Sequence, residues 1–199
     1  MKKILIVVDY QNDFVNPNGA LPVPNAFNVA SNIQRRIDSD EYSDIIYTFD
    51  THTVSEYKNS DEAKMFPNIH CEFGTKGWEL FPEIKPKFKE YFNMNKSNVK
   101  PFTSMTVGNE HFFTKNIFDI WEGNDTYKKW FVSFFSSDEV EVDVVGVASE
   151  VCVNMNILGL VERGYKVNFI ENCCMGITDE GTIEAIERFK DLDVGFKVL

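Results

Sequence analysis

The sequence is short of basic residues, and this shortage argues against one large group of partners. Lysine and arginine together number 20 against 31 aspartates and glutamates, so the formal net charge is −11 at pH 7. A protein of that charge repels both the phosphate backbone of nucleic acids and the anionic headgroups of membranes. We therefore expect no nucleic acid and no membrane among its partners.

Long apolar runs are also missing near the N-terminus. Residues 4–8 are apolar and follow two lysines, but the run stops at Asp9. A secretory signal has a longer apolar region, and a membrane-spanning helix needs about 20 apolar residues. We expect neither a signal peptide nor a membrane span, and therefore a cytoplasmic protein.

Cysteine is scarce as well. The four cysteines of the chain are Cys71, Cys152, Cys173 and Cys174. With 199 residues, 43% of them hydrophobic, the chain can bury a sizeable core without disulfide bonds. Four thiols in such a chain fit a reducing compartment better than a disulfide framework, so we expect them to be free.

No internal repeat or linker divides the sequence, and the patterns that are present alternate between strand and helix. Runs rich in β-branched residues predict strands at residues 3–8, 44–49, 111–114, 140–147, 166–170 and 194–198. Helical spacing predicts helices at residues 25–37 with Asn25 as N-cap, 125–135, about 150–163 before Gly164, and 178–192. This alternation indicates an α/β fold, a three-layer αβα sandwich around a mostly parallel, doubly wound sheet. We expect residues 1–199 to form one domain.

The stretch 53–108 follows neither pattern. Its periodicity is poor, and proline, asparagine, glycine, lysine and aromatic residues are frequent. We expect a long loop with short helices or a hairpin here. Since long loops inside compact domains usually carry function, residues of the site are expected in this stretch.

Polar residues follow several predicted strands at the point where each strand ends. They are Asp9, Asp50, His52, Lys115 and the turn at residues 148–152. In an open parallel sheet, ligands bind beyond the carboxyl ends of the strands. We therefore expect these residues to converge on one edge of the sheet and to share a cleft.

Cys152 is the candidate nucleophile of that cleft. It lies where a predicted strand passes into the first turn of a helix, whose free N–H groups and positive end favour a thiolate. The alternative is a small buried hydrophobic side chain with no reactivity. A carboxylate and an amine at neighbouring strand ends favour the catalytic interpretation.

Asp9 and Lys115 are the candidate partners of this thiol. Asp9 could take the thiol proton and return it to a leaving amine, although an aspartate there could also cap the following turn. Lys115 could hold the thiolate and the carboxylate in their charged forms. Most lysines are solvated surface charges, and Lys96 and Lys100 compete for the role.

A second group of residues has the chemistry of metal ligands. Asp50, His52 and the later His70 offer a carboxylate and two imidazoles, which suit zinc, iron or manganese. An Asp-x-His pair is also common as a hydrogen-bonded pair in turns, so the motif alone is weak. Glu62 could complete the ligand set, and Glu56 and Asp61 are available too.

Together these segments resemble the isochorismatase-like cysteine hydrolases, and among them the nicotinamidases (pyrazinamidases), over nearly the whole chain. The family's N-terminal signature is matched here by DYQNDF at residues 9–14, followed by GALPVP at 19–24. The family's nucleophile motif is matched by GVASEVCV at 146–153. The segments FPNIHC at 66–71 and GTKG at 74–77 resemble the metal-histidine region of nicotinamidases. KNIFDIW at 115–121 is similar to the stretch that carries the family's catalytic lysine.

The resemblance implies a role for each matching residue. Cys152 would be the nucleophile, Asp9 the general base and acid, and Lys115 the third member of the triad. The N–H groups of Ala148 and Cys152 would form an oxyanion hole, with a cis peptide before Ala148. The remaining assignments are Asp50, His52, His70 and Glu62 as metal ligands, and Phe14 and Phe66 as aromatic walls of a pyridine pocket.

The implied reaction is hydrolysis of nicotinamide, a small-molecule amide, to nicotinate and ammonia through a thioester. The resemblance implies a divalent metal cofactor, zinc before iron or manganese, and allows a homo-oligomer. Three alternatives stay open: an amidase of the same superfamily with another small amide as substrate, a metal-free cysteine hydrolase, and a non-catalytic protein that kept the fold.

The sequence departs from the family pattern in two places. Some nicotinamidases have another histidine shortly after the Asp-x-His motif, where Lys58 stands here, and the remaining His111 lies far downstream. Glu62 matches a variant with glutamate before a K-x-F-P stretch. Residues 86–108 match no motif of the family, and we expect them to affect the pocket or an oligomer contact.

Overall fold

A twisted sheet forms the centre of the molecule in the computed structural model, which describes residues 1–87 and 102–198. In the described residues its strands are β1 (Lys2–Val8), β2 (Asp44–Asp50), β3 (Ser104–Val107), β4 (Glu110–Lys115), β5 (Val140–Val147), β6 (Lys166–Met175) and β7 (Gly195–Lys197). They lie side by side in the order β3-β4-β2-β1-β5-β6-β7. Every neighbouring pair is parallel except β3 with β4, which is an antiparallel edge pair. The prediction of a mostly parallel sheet is confirmed.

Helices cover both faces of this sheet. They are α1 (Asn12–Val15), α2 (Ala30–Asp38), α3 (Val54–Tyr57), α4 (Glu62–Met65), α5 (Ile120–Gly123), α6 (Asp125–Phe134), α7 (Cys152–Glu162) and α8 (Asp179–Asp191), with a 3-10 helix at Ala26–Val29. Within residues 1–87 and 102–198, no helix combines the length and apolar character that crossing a bilayer requires.

The two faces of β1 show why the layers form. Leu5 and Val7 point into a core that includes Ile33 of α2, whereas Ile4 and Ile6 point into a second core. That second core holds Phe131 of α6, Ile157 of α7 and Phe189 of α8. Because successive side chains of a strand face opposite ways, a strand covered on both faces is apolar throughout. The αβα sandwich that the sequence predicts is confirmed.

Several predicted boundaries are wrong. Asn25 is not a side-chain cap: its backbone is left-handed, its side chain makes no capping hydrogen bond, and a 3-10 turn precedes α2. β6 continues past residue 170 to Met175, because its end pairs with β5. The helix expected from about residue 150 begins at Cys152, and α5 was not predicted.

The stretch 53–108 contains α3, α4 and β3 in its described part, so the expectation of short helices and a hairpin is confirmed there. The competing lysines, Lys96 and Lys100, and most of the segment 86–108 lie outside the described residues.

A partly exposed cation at the β7 edge of the sheet, Lys197, provides a test of the fold's electrostatics. Lys197 Nζ lies 2.9 Å from both Glu141 Oε1 and Asp143 Oδ1. The hydrogen bond from Lys197 is the main cause that lowers the pKa of Glu141 to about 2. A carboxyl group whose pKa is lower in the folded than in the unfolded protein stabilises the fold at pH values above its unfolded pKa. For Glu141 this stabilisation is lost as the pH falls from about 4.5 to about 2.

We therefore expect Lys197→Met to lower the free energy of unfolding by about 1–2 kcal/mol at pH 7, with a smaller loss at pH 3. Urea unfolding at the two pH values measures this difference. Lys166→Met is the matched control, because its amine is 58% exposed and lies 3.5 Å from Glu141 Oε2. Equal losses in both variants, or a loss that does not change with pH, would contradict the assignment.

Candidate active site

The carboxyl ends of four strands bring a carboxylate, an amine and a thiol together. Asp9 follows β1, Asp50 and Lys115 end β2 and β4 in register with each other, and Cys152 begins α7 after β5. Lys115 Nζ lies 2.8 Å from Asp9 Oδ2, 3.3 Å from Asp50 Oδ1 and 3.5 Å from Cys152 Sγ. The structure thus brings the three predicted triad residues together, with Asp9 and Cys152 both next to the buried amine of Lys115.

Local backbone geometry sets the position of Asp9. Its φ of 46° is left-handed, and its N–H donates to Thr48 O at 3.2 Å. The Thr48 hydroxyl donates to Asp9 Oδ1 at 2.6 Å, so Oδ2 is left to face the amine of Lys115. Thr48 was not predicted from the sequence, in which it is one polar residue within an apolar strand.

β1 and β5 approach each other closely beneath this site. Gly146 has a φ of +122°, and a Cβ on it would lie 2.2 Å from Val8 O, so no side chain fits there. The Val147–Ala148 peptide that follows is cis, as the resemblance implies. In the described part of the chain, no protein acceptor receives a hydrogen bond from the N–H of Ala148 or Cys152. Both N–H groups that the resemblance assigns to an oxyanion hole are therefore without a protein acceptor there.

Burial and charge act in opposite directions on these groups. Burial would lower the pKa of Lys115, but Asp50 and Asp9 outweigh it and hold the amine protonated. Burial would raise the pKa of Asp50, yet Lys115, His52 and His70 hold it well below its usual range. Lys115 and Asp50 therefore form a buried, charged pair.

The protonation state of Cys152 differs from the expectation. The helix start was expected to favour a thiolate, but burial raises the pKa of the Cys152 thiol well above its usual range, and Lys115 opposes this only in part. The negative charges of Asp9 and Asp50 raise it further. The resting thiol is neutral, so attack on a substrate requires a base.

Next to this group, four side chains form a cluster with the composition of a metal site. One ligand atom from each of Asp50, His52, Glu62 and His70 lies within 4.8 Å of the others. His70 Nε2 is 3.2 Å from Asp50 Oδ2 and 3.1 Å from Glu62 Oε1, and His52 Nε2 is 2.9 Å from Asp50 Oδ2. All four residues are buried.

Contacts outside the cluster hold the two imidazoles in place. The Tyr57 hydroxyl lies 3.2 Å from His70 Nδ1, and the Tyr57 ring packs on His52 with 4.7 Å between ring centroids. His52 also exchanges backbone hydrogen bonds with the strand-like segment around Cys71 and Phe73. Metal-binding histidines need such support for their second nitrogen. Tyr57 carried no signal in the sequence.

The cluster includes only one of the three acidic candidates for a fourth ligand. Glu62 Oε2 is buried and has no hydrogen-bond partner among the described residues, as expected of an atom left for a cation. Glu56 accepts a hydrogen bond from the Thr53 hydroxyl, and Asp61 pairs with Lys64 at the surface. Two imidazoles and two carboxylates are a donor set that zinc, iron and manganese accept.

His111 and the remaining cysteines lie elsewhere. His111 Nε2 is 2.9 Å from Asp44 Oδ1 at the opposite end of β4, away from the cluster. Cys71, Cys173 and Cys174 are buried and unpaired, and Cys152 is also a free thiol. The expectation of free thiols is confirmed.

A narrow pocket of about 70 Å³ opens over Cys152 and part of the metal-ligand cluster. Cys152, Ala148, Asp50, Glu62 and His70 lie in its wall. The residues that complete the wall are apolar: Phe14 and Phe66, as expected, and Leu21, Pro22, Val23, Phe118, Val147, Val151 and Ile177. Such a pocket, apolar with a few polar groups on one side, suits a small ring that carries a polar substituent.

The pocket residues that sequence reasoning missed come from two places. Leu21 to Val23 belong to the GALPVP motif, and Phe118 belongs to KNIFDIW, so both motifs already contained a signal. Ile177 belongs to no motif. It reaches the pocket only because the loop after β6 runs beside the turn that carries Cys152.

Comparison with known proteins places this geometry in a family. The model of the Isochorismatase domain matches residues 3–195. A nicotinamidase of Saccharomyces cerevisiae is 27% identical over 216 residues, which cover 95% of this chain and 94% of that protein.

Two solved structures share the fold. The pyrazinamidase of Pyrococcus horikoshii in complex with zinc superposes with a TM-score of 0.74 at 23% identity and full coverage of both chains. PnC1 of L. infantum in complex with nicotinate gives 0.76 at 18% identity and covers all of this chain and 95% of its own. The chain therefore belongs to the isochorismatase family and is an amidohydrolase.

Proposed function

We propose that the protein hydrolyses nicotinamide to nicotinate and ammonia through a thioester on Cys152, with a divalent metal bound beside the nucleophile. One observation carries this proposal: Cys152 lines the same apolar pocket as three members of the metal-ligand cluster, Asp50, Glu62 and His70. Lys115 joins the two groups, because its amine contacts both Cys152 and Asp50. A nucleophile and a cation site on one wall suit a ring with a basic nitrogen and an amide.

The relatives support this choice of substrate. The yeast relative is named a nicotinamidase, and the structural neighbour from L. infantum is described in complex with nicotinate. Nicotinate is the acid that hydrolysis of nicotinamide releases. Phe14 and Phe66, which flank His70 with 5.4 and 6.2 Å between ring centroids, would contact the faces of the pyridine ring.

The reaction begins with the addition of the sulfur to the amide, which forms a tetrahedral intermediate. Asp9 takes the proton of the neutral Cys152 thiol, and the sulfur attacks the amide carbon. The N–H groups of Ala148 and Cys152 bind the resulting oxyanion, each donor being worth roughly 3 kcal/mol in comparable sites. Lys115 remains protonated and compensates the charge that moves between Asp9 and Cys152.

Asp9 then acts as an acid to complete the acyl enzyme and as a base to hydrolyse it. It gives its proton to the amide nitrogen as the C–N bond breaks, and ammonia leaves. Asp9 then takes a proton from water, whose oxygen attacks the thioester carbon. The C–S bond breaks, the proton on Asp9 passes to the sulfur of Cys152, and the carboxylic acid that leaves ionises to nicotinate in water.

Asp50, His52, Glu62 and His70 would hold the metal, most simply zinc, with iron and manganese as the other candidates. A divalent cation at that place supplies a Lewis acid that orients the pyridine nitrogen and water. The buried Oε2 of Glu62 supports this assignment, because it makes no hydrogen bond among the described residues and lies 3.6 Å from His52 Nε2. The unpaired cysteines support a reducing, cytoplasmic setting, in which the nicotinate would be returned to NAD by salvage.

Ammonia release from nicotinamide, measured with and without a strong chelator, tests the proposal. We expect turnover in the metal-loaded protein, loss of at least about 100-fold after chelation, and recovery with zinc, iron or manganese. Thermal unfolding of the metal-free protein, measured in parallel, separates loss of the cofactor from loss of the fold.

The other outcomes point to the alternatives. Turnover that survives complete removal of metal would show a metal-free cysteine hydrolase. Turnover of pyrazinamide or another small amide, but not of nicotinamide, would show a different substrate in the same pocket. An unreactive Cys152 and no turnover of any amide would show a non-catalytic protein.

A further inference from the structure

One carboxylate of the nucleophile motif, Glu150, contacts a neighbouring loop and not the pocket. Its Oε1 accepts hydrogen bonds of 2.9 Å from the N–H groups of both Ile177 and Thr178. The preceding residue, Ser149, donates its N–H to Met175 O at 3.0 Å. The turn that carries Cys152 is therefore joined to the loop after β6 by backbone and side-chain hydrogen bonds.

Two glycines, one in the loop and one in the first turn of α8, leave room for this side chain. A Cβ on Gly176 would lie 2.6 Å from Glu150 Oε2, and a Cβ on Gly181 would lie 3.0 Å from Glu150 Cγ. Oε2 is buried in this slot without a hydrogen-bond partner among the described residues. If Glu150 only had to accept hydrogen bonds from two N–H groups, its second oxygen could stay in water. Its burial against the two glycines therefore indicates that the Glu150 side chain is held in one position.

Ile177 is the residue whose position depends on this contact. It lines the pocket together with Val151 and Cys152, yet it is 37% exposed, so packing alone restrains it weakly. Its own N–H donates to Glu150, and the next residue, Thr178, begins the cap of α8. There the Thr178 side chain accepts a hydrogen bond from Gly181 N at 3.0 Å. Without Glu150, the loop that carries Ile177 is held only at its two ends, by the pairing of Met175 with β5 and by the start of α8.

We propose that Glu150 is a positioning residue that determines the width of the pocket by fixing Ile177 against the bound ring. This inference rests on the proposed function, because the ring is that of the amide substrate. Glu150 does not line the pocket, so it acts on the substrate through Ile177. Its removal should weaken substrate binding more than it slows the bond-making steps at Cys152.

The kinetic test uses Glu150→Ala with Ile177→Ala. We expect each variant to raise KM for nicotinamide about 10-fold or more and to change kcat by no more than about threefold. The double variant should be no worse than the single variants, because both remove the same contact. Glu150→Gln keeps an oxygen that accepts both N–H groups, so it should rescue KM. Glu184→Ala and Ile183→Ala, at exposed positions of α8, are the matched controls.

A second measurement does not depend on the substrate. The rate at which Cys152 is alkylated is followed by mass spectrometry with iodoacetamide and with the bulkier N-phenylmaleimide. We expect Glu150→Ala to increase the ratio of the maleimide rate to the iodoacetamide rate severalfold, and Glu150→Gln to leave this ratio near that of the unmodified protein.

The outcomes separate this inference from the proposed function. An altered ratio of alkylation rates in a protein that does not hydrolyse nicotinamide would overturn the substrate assignment and support the positioning role. Unchanged KM and unchanged alkylation ratio in Glu150→Ala would overturn the positioning role. A lower Tm accompanied by those unchanged values would show a merely structural role and would equally overturn it.

Discussion

Replacing Cys152 by alanine is expected to lower kcat/KM for nicotinamide by at least about 10⁴-fold while the metal content stays the same. The thiol is the nucleophile in the proposed reaction, and no other cysteine lines the pocket in the described part of the chain. The metal-ligand cluster consists of Asp50, His52, Glu62 and His70 and does not include the sulfur. Ammonia release and metal analysis on the same preparation measure both quantities.

Cys173→Ala is the matched control for this variant. Cys173 is a buried free thiol that belongs to the core and does not line the pocket. It should keep kcat within about threefold, although the loss of a buried sulfur costs some stability. Loss of metal in Cys152→Ala would contradict the division between nucleophile and metal ligands. Activity that survives in Cys152→Ala would exclude the thioester.

Lys115→Met is expected to have the second-largest effect on activity, because its amine contacts both the catalytic residues and the metal-ligand cluster. Its Nζ contacts Asp9 at 2.8 Å, Asp50 at 3.3 Å and Cys152 at 3.5 Å, and the side chain is buried. Removing one partner of a buried charge pair costs about 3–5 kcal/mol of folding free energy. The same loss of compensation should lower kcat by at least about 10³-fold, as for other members of catalytic triads.

Urea unfolding and steady-state kinetics of Lys115→Met test this expectation. Adding Asp9→Asn to Lys115→Met removes the carboxylate that was left without its cation, so we expect the double variant to regain part of the stability but none of the activity. If Lys115→Met is as stable as the unmodified protein, the amine is not the charge partner of Asp9 and Asp50. Lys128→Met, whose amine is 39% exposed beside Glu122, is the control for a surface pair.

The fold followed from local pattern, since alternating strand and helix signals are properties of short segments. The run at residues 3–8 is apolar throughout because β1 is covered on both faces, and this alone predicted a buried parallel strand. The end of β6 shows the limit of that reasoning. Its last residues, from Glu171 to Met175, look polar and small, and they form a strand only because β5 offers Gly146 and Val147 as partners.

The site divides in the same way. The motifs marked Asp9, Lys115 and Cys152 because catalytic residue types occur in a distinctive order along the chain, and the structure brings them together. The fourth ligand could not be chosen in this manner. Glu56, Asp61 and Glu62 lie within seven residues of one another, in a stretch without periodicity, and only the packing of α4 against the two histidines selects Glu62.

Protonation was also beyond the reach of sequence. A helix start favours a thiolate through local dipoles, and this is visible in the sequence around Cys152. Desolvation depends on everything that surrounds the sulfur, and it raises the pKa of this thiol instead.

The sequence by itself determined the fold class and the types of residue that meet at the strand ends. Only the tertiary structure decided which carboxylate joins the metal cluster, that the resting thiol is neutral, and that Glu150 holds Ile177 at the pocket, because each depends on contacts between distant segments.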